Sequence, residues 1–253
     1  MSYFKLPVEL VEQIAQYMDK EGLKIFGNTS RKTRYAVEPI LYEAISLICP
    51  ATAYRDVLKL LIAIHERPRM VSRTKTLNIS EPKENACDER ELVQTAGLDA
   101  QLTVNQTISH LLSKLPNLSS FHLRSPRSNC FGRNRADRGP LNLSHLRKLV
   151  TLHLPVHYLL ACLSPLVLPA TLERLHVKDG DRVDREHLTE LLIYYVKQKP
   201  VEGTDTWALN FISIDYFMFR IDELTTICKA KGVKLELKQN ERDMPCGREP
   251  WAW

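Results

Sequence analysis

The chain has 253 residues, 44% of them hydrophobic and 26% charged, with a formal net charge of +5. Those proportions belong to a folded globular protein and exclude an intrinsically disordered one. The positive excess is too small to argue for nucleic-acid binding on its own, and 9 glycines are too few for a low-complexity chain.

In chain order, the first block runs from Leu6 to Leu47. Leu6, Leu10, Ile14, Tyr17 and Met18 recur at steps of three and four, which predicts one face of a helix. Pro7 suits the first turn, where its missing N–H costs nothing, and Glu9 suits the positive helix start. Glu21-Gly22 breaks the pattern. Leu23 to Phe26 reads as a short second helix, and Arg31 to Leu41 as a third, interrupted by Pro39. Three helices this short bury little surface unaided, so another surface must cover their apolar faces.

Beyond this block the rhythm changes. Short strands with alternating apolar positions recur: Leu77/Ile79, Phe121/Leu123, Leu152/Leu154, Leu175/Val177 and Leu235/Leu237, with a further strand of ambiguous register around Leu209 and Phe211. Period-two alternation buries one side of each strand. Helical stretches lie between them. Ala53, Val57, Leu60, Leu61 and Ile64 share one face, as do Val104, Ile108, Leu111 and Leu115. Asp184 is placed to cap a helix carrying Leu188, Leu191, Leu192 and Tyr195, which Pro200 ends. A last helix carries Ile221, Leu224, Ile227 and Cys228, followed by Gly232 in the position of a left-handed cap. Strand–helix–strand repetition predicts parallel strands with right-handed crossovers, and the irregular spacing of roughly 20 to 45 residues is of solenoid size. The predicted class is therefore α/β: a short helical block, then a repeat solenoid with a parallel sheet.

Leu146-Leu149-Leu152-Leu154, and more loosely Leu115-Leu118-Phe121-Leu123, resemble the leucine-rich repeat over roughly residues 70 to 240, without the asparagine that usually follows its strands. The opening block resembles an F-box of the fungal type: Leu6-Pro7, Glu9-Leu10, Ile14 to Met18, Ser30-Arg31 and Pro39 to Tyr42. Gly22 stands where an acidic residue is frequent in that family, and Thr33 where many members carry Trp. The resemblance implies an organisation of F-box (1–47), leucine-rich-repeat-like substrate-binding domain (48–240) and C-terminal tail (241–253). It implies a Skp-type adaptor docked on Leu6, Pro7, Leu10, Ile14, Leu23, Phe26 and Arg31, and through that adaptor a cullin-based ubiquitin ligase. A cap packed on the first repeat is the other reading of the same helices.

The outward positions of the strands form the expected substrate surface. His122, His153 and His176 occupy the middle position of three successive repeats, flanked by Arg124, Arg174 and Lys178. Side chains on parallel strands project side by side, so a solvated ladder is expected over a zinc site, and the face suits an acidic or phosphorylated segment. Two long insertions follow the first two repeat strands. One carries Glu81, Glu84, Asp88, Glu89 and Glu91; the other carries Arg127, Arg133, Arg135 and Arg138 around Phe131. They either pair with each other or present the arginines, with Arg133 and Arg135 foremost, to an acidic partner. Trp251 and Trp253 in the tail read as a cap on the last repeat or a docking element.

No nucleophile, phosphate-loop, dinucleotide-binding or H-E-x-x-H motif is present, so neither an enzyme nor a cofactor is expected. The strand faces lack an aromatic stacking pair, which argues against nucleic acid. The six cysteines show no C-x-x-C spacing and read as reduced thiols, mostly buried. The start lacks a secretory pattern and no stretch reaches the ~20 apolar residues of a membrane span, so a cytoplasmic or nuclear protein is expected.

Overall fold

The computed structural model describes residues 6–49, 51–80, 90–97, 103–124, 141, 143, 145–156, 158, 168–178, 184–197, 208–215 and 220–238. Two compact units divide the chain, residues 1–149 and 150–253.

The first unit begins with α1 (Val8–Gln16), α2 (Lys20–Gly27) and α3 (Arg31–Leu41). Strand β1 (Ala44–Leu47) follows, then α4 (Ala53–Glu66), a 3-10 turn (Pro68–Val71), β2 (Thr76–Ser80), α5 (Arg90–Thr95), α6 (Val104–Ser113) and β3 (Ser120–Arg124). The three strands are parallel and lie in sequence order. β1 goes beyond the sequence reading: Ile45 and Leu47 alternate as in the other strands, but the strand follows α3 after only two residues and reads as part of the helical block. Register pairs Ile45 with Leu77 and Leu77 with Phe121, and all three are buried. Helix α3 runs through Pro39 and ends two residues later. Helix α5 lies in what reads from sequence as the acidic insertion; residues 81–89 of that stretch, and 125–140 of the arginine-bearing one, lie outside the described residues.

The second unit has β4 (Thr151–Pro155), β5 (Arg174–Lys178), α7 (Asp184–Lys197), β6 (Phe211–Ile214), α8 (Ile221–Ala230) and β7 (Lys234–Leu237). Its four strands are again parallel and in sequence order. Leu152, Leu154, Leu175 and Val177 point inward and are buried, as their alternation predicts. β6 differs from the Leu209/Phe211 reading. Leu209 is buried before the strand, but Ile212 and Ile214 pair with Leu175 and Val177, so Phe211 faces outward opposite Arg174. Phe211 and Ile212 are adjacent and both apolar, so the alternation fits either register, and pairing with β5 decides it.

Neighbouring strands are also joined by backbone hydrogen bonds at their starts. The carbonyl just before or at one strand's start takes two N–H groups at the start of the next: Glu43 from Lys75 and Thr76, Lys75 from Ser119 and Ser120, Val150 from Glu173 and Arg174, Glu173 from Asn210 and Phe211. Side chains add to this. Ser80 Oγ donates to Ile48 O at 2.8 Å, and Asn117 Nδ2 to Ser72 O at 2.7 Å. Gly232, at φ +65°, ends α8 as predicted. Val233 N–H donates to Cys228 O (2.8 Å) and Gly232 N–H to Lys229 O (3.3 Å), the paired bonds of a Schellman cap.

Candidate functional site

Each helix of the opening block starts for a local reason. Pro7 precedes α1, with Glu9 in its first turn. Asp19 caps α2, its Oδ1 accepting from Gly22 N–H at 2.7 Å. Ser30 caps α3 in a reciprocal box: Thr33 N–H donates to Ser30 Oγ (3.1 Å) and Ser30 N–H to Thr33 Oγ1 (3.0 Å). The two departures from the F-box pattern thus sit at the same place, the third residue of their helices. A Cβ on Gly22 would meet Asp19 Oδ1 at 2.8 Å, so the acidic cap and the glycine fit each other. Thr33 is buried and serves its cap.

The block has its own small core of Ala15, Leu23 and Val37, with Met18, Phe26, Ile40 and Leu41 packed against it. Val11 and Ala15 are the buried positions of α1. Of the stripe read from sequence as its apolar face, Met18 packs on this core, whereas Leu10 and Ile14, about 100° around the helix from Val11 and Ala15, and Tyr17 face solvent. Leu10 is 43% exposed, Ile14 44% and Tyr17 92%, and Ile25 on α2 is 70% exposed. Of the residues implied as adaptor contacts, Pro7, Leu10, Ile14 and Arg31 are exposed, Leu6 and Phe26 are half-buried, and Leu23 is in the core. Ile25, between Lys24 and Phe26 on α2, is a further exposed apolar side chain that the sequence reading does not single out.

The block is also tied to the connection between α4 and β2. Glu12 takes Arg73 at 2.6 Å and Arg69 at 3.7 Å, and Glu38 pairs with Arg67. The Arg69 guanidinium lies 3.9 Å over the Tyr35 ring, and Thr74 Oγ1 donates to Tyr42 O at 2.7 Å. Lys32 Nζ donates to Leu6 O.

On the outward strand faces, His122 is half-buried in the first unit, with Nε2 2.8 Å from Ser120 Oγ, and Arg124 is exposed at the end of β3. In the second unit the structure brings His153 and His176 together. Their rings stack at 3.9 Å between centroids, 6° from parallel, and His176 meets Phe211 at 5.3 Å. Burial holds the His176 pKa below its ordinary value, with Lys238 and Lys178 adding to the effect and Asp215 and Glu236 opposing it. Arg174 and Lys178 are exposed on the same face. Stacked rings turn their nitrogens side by side, and among the described residues no group of three His, Cys, Asp or Glu is placed to hold a metal ion. Arg133 and Arg135 lie outside the described residues, as do Trp251 and Trp253.

Two cysteines fall within the described residues, both free thiols. Cys228 is buried and its pKa is raised to about 11 by that burial. Cys49 is exposed and held below its ordinary value by the Thr52 side chain and by the backbone of Ala51 and Thr52. A cavity of about 370 Å³ opens in the first unit among Leu61, Ile64, His65, Ala96, His110 and Lys114. No helix among the described residues is long and apolar enough to cross a membrane. The chain matches no family model and no curated protein.

Proposed function

We propose that this protein is the substrate-recognition subunit of a Skp–cullin–F-box type ubiquitin ligase. Its opening helices dock on a Skp-type adaptor, and through it a cullin. Its repeats hold a protein substrate, and the chemistry belongs to other subunits. The observation that carries this reading is that Leu10, Ile14 and Tyr17 of α1, and separately Ile25 of α2, are left in solvent by a block that has a core of its own. Apolar side chains at helical spacing on an exposed face fit helix-in-groove recognition, with bulky anchors surrounded by polar neighbours. Co-expression with a Skp-type adaptor is expected to yield a stable complex, and Leu10→Glu with Ile14→Glu to abolish it without loss of fold. A wild-type chain that fails to copurify removes the ligase reading.

A second reading has its own support: a leucine-rich-repeat scaffold with no ligase role, whose helices cap the first repeat. The ion pairs of Glu12 with Arg69 and Arg73 and of Glu38 with Arg67 favour it, because a cap must be fastened to the repeat it covers. The two readings part at the exposed stripe, which a cap has no use for.

A further inference from the structure

The register of β4–β7 sorts the positions between the inward ones into three rows crossing the strands; Ser213 and Pro155 are buried and the others are exposed or half-buried. The first is Thr151, Arg174, Phe211 and Lys234; the second is His153, His176, Ser213 and Glu236. The third holds Pro155 and Lys178 and continues through Asp215 and Lys238, whose N–H groups donate to Val177 O and Ile214 O. Adjacent rows are two residues apart, about 6.6 Å, and neighbouring strands are about 4.8 Å apart. Cations therefore line both outer rows: Arg174 and Lys234 on one side, Lys178 and Lys238 on the other, all exposed. Lys238 lies 3.9 Å from Glu236, whereas Arg174, Lys178 and Lys234 have no carboxylate within ion-pair distance among the described residues. Between the rows, His153 and His176 are stacked, and Phe211 sits half-exposed with Lys234 Nζ 5.8 Å over its ring.

We propose that this face receives an extended acidic segment of the protein substrate, its Asp and Glu carboxylates seated on the two rows of cations and an apolar side chain resting on Phe211. This deepens, and rests on, the reading of the repeats as a substrate-binding surface. The spread of the charges selects carboxylates. A single phosphate is best held by convergent, bidentate donors, and this face has one arginine and three separate lysines. A nucleic acid fits poorly for a different reason. The two imidazoles already use a ring face on each other, which leaves less aromatic surface for bases to stack on.

The test is fluorescence anisotropy of a labelled dodecapeptide of Asp, Glu and Gly with one central Leu, titrated with the full chain and no adaptor. Binding is expected, weaker as salt rises. Replacing the carboxylates by amides is expected to weaken it by about tenfold or more, as is the variant Arg174→Glu with Lys234→Glu. Lys59→Glu, exposed on α4 in the other unit, is expected to leave it unchanged. Should the double variant lower the thermal midpoint, Lys178→Glu alone, at an exposed strand end, is read in its place. Equal affinity for the amide peptide, or undiminished binding by the charge-reversed chain, overturns the proposal. So does tighter binding of a dodecanucleotide RNA, or of a peptide whose only charge is one phosphoserine. Adaptor copurification is a separate measurement: a chain that binds the acidic peptide but no adaptor sinks the ligase reading alone, and the converse sinks this one alone.

Discussion

The α1–α3 block and the strands of the second unit distribute apolar side chains in opposite ways. In β4 and β5 each inward Leu or Val is buried, and the alternate positions are Thr, His, Arg and Lys, with Pro155 at the end of β4. On α1 the bulkier apolar residues, Leu10, Ile14 and Tyr17, face out, while the core takes Val11 and Ala15. A strand's two faces alternate, so surplus apolar residues have nowhere to hide between them; a helix has room for two stripes, one for its own core and one for another surface. The difference teaches that amphipathic spacing marks a face as apolar without saying which neighbour covers it.

The largest expected effect tests that contrast directly. Leu152→Ala removes a fully buried side chain and is expected to cost about 3 kcal/mol of stability. Leu10→Ala is expected to stay within about 0.5 kcal/mol. Chemical denaturation of both variants measures the gap, and equal losses would mean that the stripe on α1 is packed after all. Next comes Thr33→Ala, which removes the half of the α3 capping box that Thr33 Oγ1 accepts and leaves Thr33 N–H on Ser30 Oγ; it is expected to cost about 1 kcal/mol, with Thr33→Ser recovering most of it.

A finer test concerns Gly22. Alanine there gains up to about 1 kcal/mol of helix propensity but crowds the Asp19 cap, worth about 1 kcal/mol, so Gly22→Ala is expected to be close to neutral. In an Asp19→Ala background the same change is expected to stabilise by about 1 kcal/mol, and a double-mutant cycle shows whether the sign changes. The smallest effect is the pH response of the repeat face. Burial, together with Lys238 and Lys178, depresses the folded pKa of His176 below 6.5, so the unfolded chain takes up the proton first. Stability from this group is present above about pH 6.5 and is lost as the pH falls through the lowered folded value. Denaturation midpoints between about pH 7.5 and 5 are expected to decline less steeply in His176→Gln.

Much of this architecture was legible because short strands with one buried face leave a period of two. Leu77/Ile79, Phe121/Leu123, Leu152/Leu154 and Leu175/Val177 all turn inward, and Gly232 ends its helix as its position implied. Three things were hidden, each for a physical reason. Ile45 and Leu47 of β1 have the same spacing of two but follow closely on α3, and pairing with β2 is what separates the strand from the helical block. Phe211 and Ile212 fit two registers until β5 selects one. The inward face of α1 was concealed by residue size, since Ala15 contributes little hydrophobicity to a pattern in which Leu10, Ile14 and Tyr17 dominate, yet only a small side chain fits where the three helices meet. The candidate surfaces were legible as residue types and strand positions. The contact of the two imidazoles and the paired rows of cations needed the register.

Only Tyr42 and Glu43 separate α3 from β1, and that junction is bonded to the next rung: Thr74 Oγ1 reaches Tyr42 O, and Lys75 and Thr76 N–H share Glu43 O. The junction behaves as an indexed coupling. Adding one residue there must either turn the end of α3 by about 100° or slip β1 by one position, which would bring Ile45 from the buried side of the sheet to the other. Whatever grips the helices is thereby set at a fixed angular step to the rungs of the first unit, and lengthening the joint would shift that setting in discrete increments.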